Sequence, residues 1–250
     1  DGDITVKAGD TKGTNRVSQG ETTKDDTDTV ITGKSEQHTV TIDTSGGNVD
    51  VTFDDLKIDV SGKTEVDGSG DGPARESKAA VTVQGGGDAT IELDGDNKLK
   101  SGSNNAGLEK NEHESEGTLT IKDDKGKDGS LTAEGGEGGA GIGGGAERTG
   151  SNIIICGDAE VTAKAGSQIL DAKAPAIGGK YGEVPTENLS DEEHKVTGGR
   201  LTRLNADGTV MEGMGYDYTS VPTPQPDDED DDDVPPPVQE NAPEPLPGGM

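Results

Sequence analysis

Tryptophan is absent, aromatic residues make up only 2% of the chain, and hydrophobic residues of every kind reach just 26%. Those shortages exclude a globular core built on several large side chains. Cysteine is nearly absent too. With Cys156 alone, no internal disulfide framework can form and no Cys-rich zinc site is available. Cys156 closes the apolar run "IIIC" with no Lys, Arg or His beside it in sequence, and so reads as a small buried hydrophobe on the inner face. No apolar run approaches membrane-spanning length, so membrane insertion is not expected. The chain starts at Asp1 and reads as a mature chain or an excised fragment. Basic residues are scarce: 22 Lys and Arg stand against 51 Asp and Glu, for a net charge of −29. Nucleic acid is thereby excluded as a partner, because its binding relies on clustered cations releasing counterions.

Glycine is what the chain has in excess, 41 residues without the third-residue period of collagen. The stretch "EGGEGGAGIGGG" places Gly139, Gly141 and Gly144 at G-x-G-x-x-G spacing, the letter pattern of a dinucleotide phosphate loop. That loop needs a helix running out of it, to supply amides and a dipole, and the following "AERTGSNIIICGDAEVTA" has no helical period. Furthermore, "APAIGG" repeats "GAGIGG", with Ile142 and Ile177 35 residues apart. The glycines are expected to form corners of a repeating β structure, with one inward isoleucine at each.

Repetition extends along most of the chain. Units begin at Thr39, Ala80, Thr118 and Asn152, spaced by 41, 38 and 34 residues. Each is read as an alternating strand (Val40 and Ile42, Val81 and Val83, Leu119 and Ile121, Ile153 and Ile155), a polar glycine turn, and a second short strand. The second strands are "VDVTF", "ATIEL", "SLTA" and "EVTA", and a last copy, "HKVTGGRLTRL", begins at His194. A flat β-sandwich would also show many short strands. The copied order favours an all-β solenoid whose coils stack their strands in parallel, with Val, Ile and Leu ladders filling a narrow interior.

The segments "NVDVTFDDLKI", "AAVTVQGGGDATIELDGDNKLKSG", "GTLTIKDDKGKDGSLTAEGG" and "GAGIGGG", in that order, carry a resemblance. Over roughly Val30 to Leu204 the chain resembles the carbohydrate-binding-domain family of bacterial surface proteins, which are right-handed parallel β-helices similar to pectate lyases. The resemblance implies a secreted or cell-surface protein that binds polysaccharide, with calcium sites on the coils. Two long polar insertions, 101–116 and 180–193, depart from the family pattern and are placed to reshape a binding face.

Domain boundaries follow composition. Residues 1–38 are polar with weak β pieces and read as an N-terminal cap or first coil, and 39–215 hold the repeats. Residues 216–250 carry nine of the twelve prolines and ten acidic residues without one Lys or Arg. They read as a disordered, self-repelling linker.

Few residues point to chemistry. Acidic residues are so abundant that a hydrolytic carboxylate pair would arise by chance. A polysaccharide lyase would need a basic residue beside calcium ligands, for which Lys57, Lys98 and Lys100 are the candidates; their spacing is that of solvent-facing lysines, and the chain reads as non-enzymatic. His38, His113 and His194 lie far apart, and Tyr181, Tyr216 and Tyr218 fall in a loop or near the tail, which disfavours sugar recognition by stacking. An acidic polysaccharide such as polygalacturonate, bridged by Ca²⁺, is the ligand expected. If Phe53 and Leu93 are equivalent inward positions, Asp54 and Asp94 fall on equivalent turns with Asp55 and Asp96 close by, and a cation between them would relieve their repulsion. The alternative is an adhesin that binds a host surface protein through the long insertions.

Overall fold

The computed structural model describes residues 2–62, 77–126, 128–179 and 194–211, with the backbone of 216–217. Over these residues the chain is all-β, with a 3₁₀ turn at Thr44–Gly46 as the sole helical element among them. The first coil contains β1 (Ile4–Ala8), the hairpin β2 (Asn15–Gln19) and β3 (Thr22–Asp26), and β4 (Val30–Ser35). The second has β5 (Val40–Asp43) and the long β6 (Val49–Asp59). From there each coil carries three strands. These are β7 (Val81–Gln84), β8 (Ala89–Asp94) and β9 (Asp96–Lys100), then β10 (Leu108–Glu109), β11 (Leu119–Asp123) and β12 (Ser130–Glu134). The next coils hold β13 (Ile142–Gly143), β14 (Ile153–Gly157) and β15 (Glu160–Lys164), then β16 (Ile177–Gly178), β17 (His194–Val196) and β18 (Arg200–Leu204). A two-residue strand, β19 (Tyr216–Asp217), runs antiparallel to Arg200–Leu201.

Pairing joins each strand to its counterpart one coil away. First strands align in parallel as β1–β5–β7–β10–β13–β16, second strands as β4–β6–β8–β11–β14–β17, and third strands as β9–β12–β15–β18 beside the distal half of β6. This arrangement is consistent with a solenoid. The hairpin β2–β3 continues the first sheet antiparallel beyond β1. A compact unit ends at Thr219, and residues 220–250, with most of the expected linker, lie outside the described residues.

Alternation decides which side chains fill the interior. Val40, Val81, Leu108, Ile142 and Ile177 form one ladder, so the 35-residue spacing of the two isoleucines is one coil. Val51, Ile91, Ile121 and Ile155 form a second, and Leu131, Val161 and Leu201 a third, all buried. Each fully buried aliphatic side chain contributes about 1.5–3 kcal/mol, and no coil could hide its apolar face alone. Gly139 owes its identity to the stacking: a Cβ there would collide with the Asn105 carbonyl. In the same segment the Gly144 amide donates to the Gly178 carbonyl of the next coil, 3.2 Å away, so it is committed to the stack.

The phase of the repeat differs from the sequence expectation. Val49, Ala89, Leu119 and Ile153 follow one another in register along one ladder, whereas Val40, Val81 and Leu108 follow one another along a different one. The units beginning at Thr118 and Asn152 are therefore out of step by one strand with those beginning at Thr39 and Ala80. The cause is that β10 and β13 have two residues each, too few to show alternation. The polar stretch 101–116 is correspondingly not a projecting insertion. It contains β10, and Ala106, Leu108, Lys110 and Ser115 within it are buried. Lys110 follows β10 on its inward side, and its Nζ donates to the Ser115 carbonyl at 2.8 Å. The expected insertion 180–193 lies outside the described residues.

A bend separates the second and third strands of each coil. In β6 it falls at Asp55, whose φ of 50° is in the left-handed region, and in the next coil at Gly95, φ 62°. Buried Asn97 staples the two bends together: its Oδ1 accepts the Leu56 amide at 2.9 Å, and its Nδ2 donates to the carbonyls of Asp94 (3.0 Å) and Ser130 (3.1 Å). One inward amide thus satisfies backbone groups on three coils.

Candidate functional site

Outward-facing side chains of β6, β8 and β11 form the floor of a groove of about 530 Å³. Two ladders make that floor, Asp50–Thr90–Thr120 and Thr52–Glu92–Lys122, each advancing one coil per residue. Gly13, Thr14 and Asn15, with Thr27, Asp28 and Thr29 beyond the hairpin, rise along one side. Asn15 fixes this wall to the sheet, because its Nδ2 donates to Thr29 Oγ1 at 3.0 Å and to the Asp50 carbonyl at 2.6 Å. The Thr52 amide donates to the Thr29 carbonyl at 2.8 Å, which holds the wall from its other end.

The opposite end of the groove is organised by Glu92, which is 5% exposed. Its Oε1 accepts the amides of Asp124 (2.8 Å) and Lys125 (2.9 Å), so a carboxylate on β8 shapes the turn after β11. Asp123, also buried, accepts the amides of Gly126 and Gly129 and closes that turn. Glu92 Oε2 has no hydrogen bond but lies 3.5 Å from Lys122 Nζ, an ion-pair distance. The Lys122 ammonium also meets Asp124 Oδ2 at 2.6 Å, and this hydrogen bond raises its pKa above the ordinary lysine range. Lys122 and Lys125 thus bring two ammonium groups, set among the Glu92 and Asp124 carboxylates, to the groove that Asp28 and Asp50 also line. Hydroxyls, carboxylates, the Asn15 and Asn48 amides and ammonium groups line the groove, a set suited to a ligand rich in hydroxyl groups.

No protein-family model, curated protein or solved structure matches this chain. Function therefore has to be read from the geometry of its own residues.

The four aspartates expected to bind calcium are brought to one corner. Phe53 and Leu93 are buried in register, and Asp54 and Asp94 follow them in register on adjacent coils. Asp55 and Asp96 are engaged elsewhere. Asp55 Oδ1 accepts the Asp96 amide at 3.3 Å and pairs with Lys57 Nζ at 3.3 Å, which together hold its carboxyl below the usual range, the amide contributing most. Asp96 pairs with Lys98 at 2.9 Å. Among the described residues, no three His, Cys, Asp or Glu side chains converge as a metal ligand set.

Lys57 and Lys98 are in register on the third-strand face, and Lys100 pairs with Glu134 at 3.4 Å. His38 lies 3.4 Å from Asp3, and His113 is exposed. Tyr181, Tyr218 and the side chains of His194 and Tyr216 lie outside the described residues.

Cys156 departs from the expectation of an inner position. Ile153 and Ile155 point inward, so parity turns Cys156 outward, half-buried, where it extends the ladder Thr52–Glu92–Lys122 by one coil. Burial, and then the Asp124 charge, push its thiol pKa up, while Lys122 opposes them. The sequence missed this neighbour because Lys122 is adjacent only across the coil. The groove itself was also missed, since its floor takes one or two residues from each of three distant segments.

Proposed function

We propose that the chain is a non-catalytic, extracellular carbohydrate-binding or adhesin module with right-handed parallel β-helix architecture, and that the polar groove holds the glycan. The observation that carries this reading is the pair of floor ladders, Asp50–Thr90–Thr120 and Thr52–Glu92–Lys122. They present hydrogen-bonding groups at the spacing of adjacent strands, about 4.8 Å, along a track that a linear sugar chain can follow. The groove lining contains no aromatic ring, so affinity comes from hydrogen bonds and charge rather than stacking. Support for the architecture comes from the coil-by-coil parallel pairing.

Calcium enters the proposal as an ion shared between protein and ligand. Asp54 and Asp94 offer two carboxylates, fewer oxygens than the six to eight that Ca²⁺ takes, and an acidic glycan would supply others. For the adhesin alternative, 101–116 is anchored by its buried middle, 106–111, and leaves Ser103, Asn104, Glu112, His113 and Glu114 exposed for contact. A glycan array probed with the whole chain, with calcium and with EGTA, tests the reading. Binding to an acidic glycan that EGTA weakens is the expected result; an array without any bound glycan would contradict it.

A further inference from the structure

The two ladders of the groove floor answer their acidic groups differently. In Thr52–Glu92–Lys122 the carboxylate of one coil meets the ammonium of the next at 3.5 Å, and Asp124 holds the same ammonium at 2.6 Å. In Asp50–Thr90–Thr120 the rungs that follow the aspartate are threonines, so the ladder supplies it with no cation. Asp28 is brought to the same end of the floor. The Asn15 amide donates both to Thr29 Oγ1 and to the Asp50 carbonyl, and Asp28 directly precedes Thr29. Both aspartates line the groove, are exposed, and have no ion pair with a described residue.

A third carboxylate of the lining points to the same kind of ligand. Glu92 is 5% exposed, stands on the coil between those of Asp50 and Lys122, and its Oε2 accepts no hydrogen bond. Its 3.5 Å separation from Lys122 is longer than a charge-assisted hydrogen bond, so this oxygen keeps its acceptor capacity. Asp28, Asp50 and Glu92 outnumber Lys122 and Lys125 in the lining, and the net charge of −29 draws cations toward it. Among the described residues no three acidic side chains converge, so a compact metal ion finds no ligand set here. A cation that carries N–H donors on a longer body can use carboxylates that stand apart in a groove of about 530 Å³.

We propose that Asp28 and Asp50 form a primary-ammonium subsite of the groove, with the rest of the ligand lying along Thr90 and Thr120. The proposal rests on the reading of this groove as the ligand site and adds the chemistry of one end of it. The amine belongs either to an unacetylated amino sugar of the bound glycan or to a free linear polyamine, which share this chemistry. In the first case the amine held here and the acid groups that calcium bridges at Asp54 and Asp94 sit on different sugars of one chain.

Titration calorimetry on the full chain, in EGTA and at mildly acidic pH to keep the amines protonated, tests the subsite with a glucosamine oligomer, its N-acetylated counterpart and spermidine. Wild type should bind an amine-bearing probe at least about ten-fold more tightly than the acetylated oligomer. Asp28→Asn/Asp50→Asn, which keeps the size of both side chains and the Asp50 carbonyl, should lose that preference at an unchanged melting temperature. Glu21→Gln/Glu36→Gln removes the same charge from exposed positions outside the groove lining and should bind as wild type does. Tighter binding of the glucosamine oligomer than of spermidine assigns the amine to the glycan, and the reverse assigns it to a polyamine; either supports the subsite. Equal loss in the two double variants would reduce the effect to the general attraction of an acidic chain and overturn the proposal. So would an asparagine variant that binds amines as wild type does, or wild type that binds none. Amine-bearing and acetylated oligomers bound alike, and both lost in Thr90→Trp, would overturn the subsite and leave the glycan groove standing. Spermidine bound through the aspartates while no glycan binds would do the opposite.

Discussion

Asp54 and Asp94 stand in register on adjacent coils, directly beyond the buried pair Phe53 and Leu93, and neither has an ion pair with a described residue. Two carboxylates so placed repel one another in the absence of a cation. Calcium should therefore raise the melting temperature of the wild type. The double variant Asp54→Asn/Asp94→Asn should lose that increment and, in EGTA, be as stable as wild type or up to about 1 kcal/mol more so. A thermal melt with and without calcium decides the matter, and an unchanged wild-type transition would remove the ion from the account.

Lys110 should make stability rise on the alkaline side. Burial pushes its amine down to about 8 from the ordinary 10.5. Between those values the unfolded chain binds a proton that the folded chain does not, so stability increases with pH across that window, and the penalty is fully present below about pH 8. The span corresponds to about 3 kcal/mol. Denaturant melts from pH 7 to 10.5 should show this rise in the wild type and not in Lys110→Met. Equal slopes in the two proteins would contradict the burial of a titrating amine.

Cys156 should be open to small alkylating reagents in the native protein, since it faces outward, but should react more slowly than a free cysteine because its thiolate is disfavoured. Removing the nearby negative charge with Asp124→Asn should speed the reaction, and Lys122→Met should slow it. Complete native protection would return Cys156 to the interior.

Asn97 carries a structural prediction. Replacing it with leucine leaves the buried Leu56 amide and the carbonyls of Asp94 and Ser130 without their partner. A loss of about 3 kcal/mol is expected from chemical denaturation, mostly as the penalty for unpaired buried backbone groups. A loss under about 0.5 kcal/mol would show that the bend does not depend on this residue.

How much of this was legible beforehand depended on strand length. Four- to six-residue strands such as Val81–Gln84 and Ala89–Asp94 announce themselves by alternation, and the Ile142–Ile177 spacing revealed the coil length. Leu108–Glu109 is too short for a period, and its Glu109 and the following Lys110 and Asn111 are buried polar residues, so in sequence the strand has the look of a polar insertion. Composition cannot anticipate that a lysine follows a strand into the core. The aspartate corner was visible because its residues are contiguous with inward Phe53 and Leu93. The groove was not visible: Thr52, Glu92 and Lys122 are separated by whole coils, and only the register brings them side by side.

Glycan affinity in the groove is the central claim, and filling the groove is its most direct test. Thr90 lies in the middle of the floor ladder between Asp50 and Thr120, with its side chain facing out, so Thr90→Trp should occupy the track without disturbing the core. The measurement is the binding isotherm, in calcium, of the strongest ligand from the glycan array for wild type and this variant, with their melting temperatures recorded alongside. The groove account predicts a loss of at least about ten-fold in affinity at an unchanged melting temperature. Equal affinity in the two proteins would contradict it.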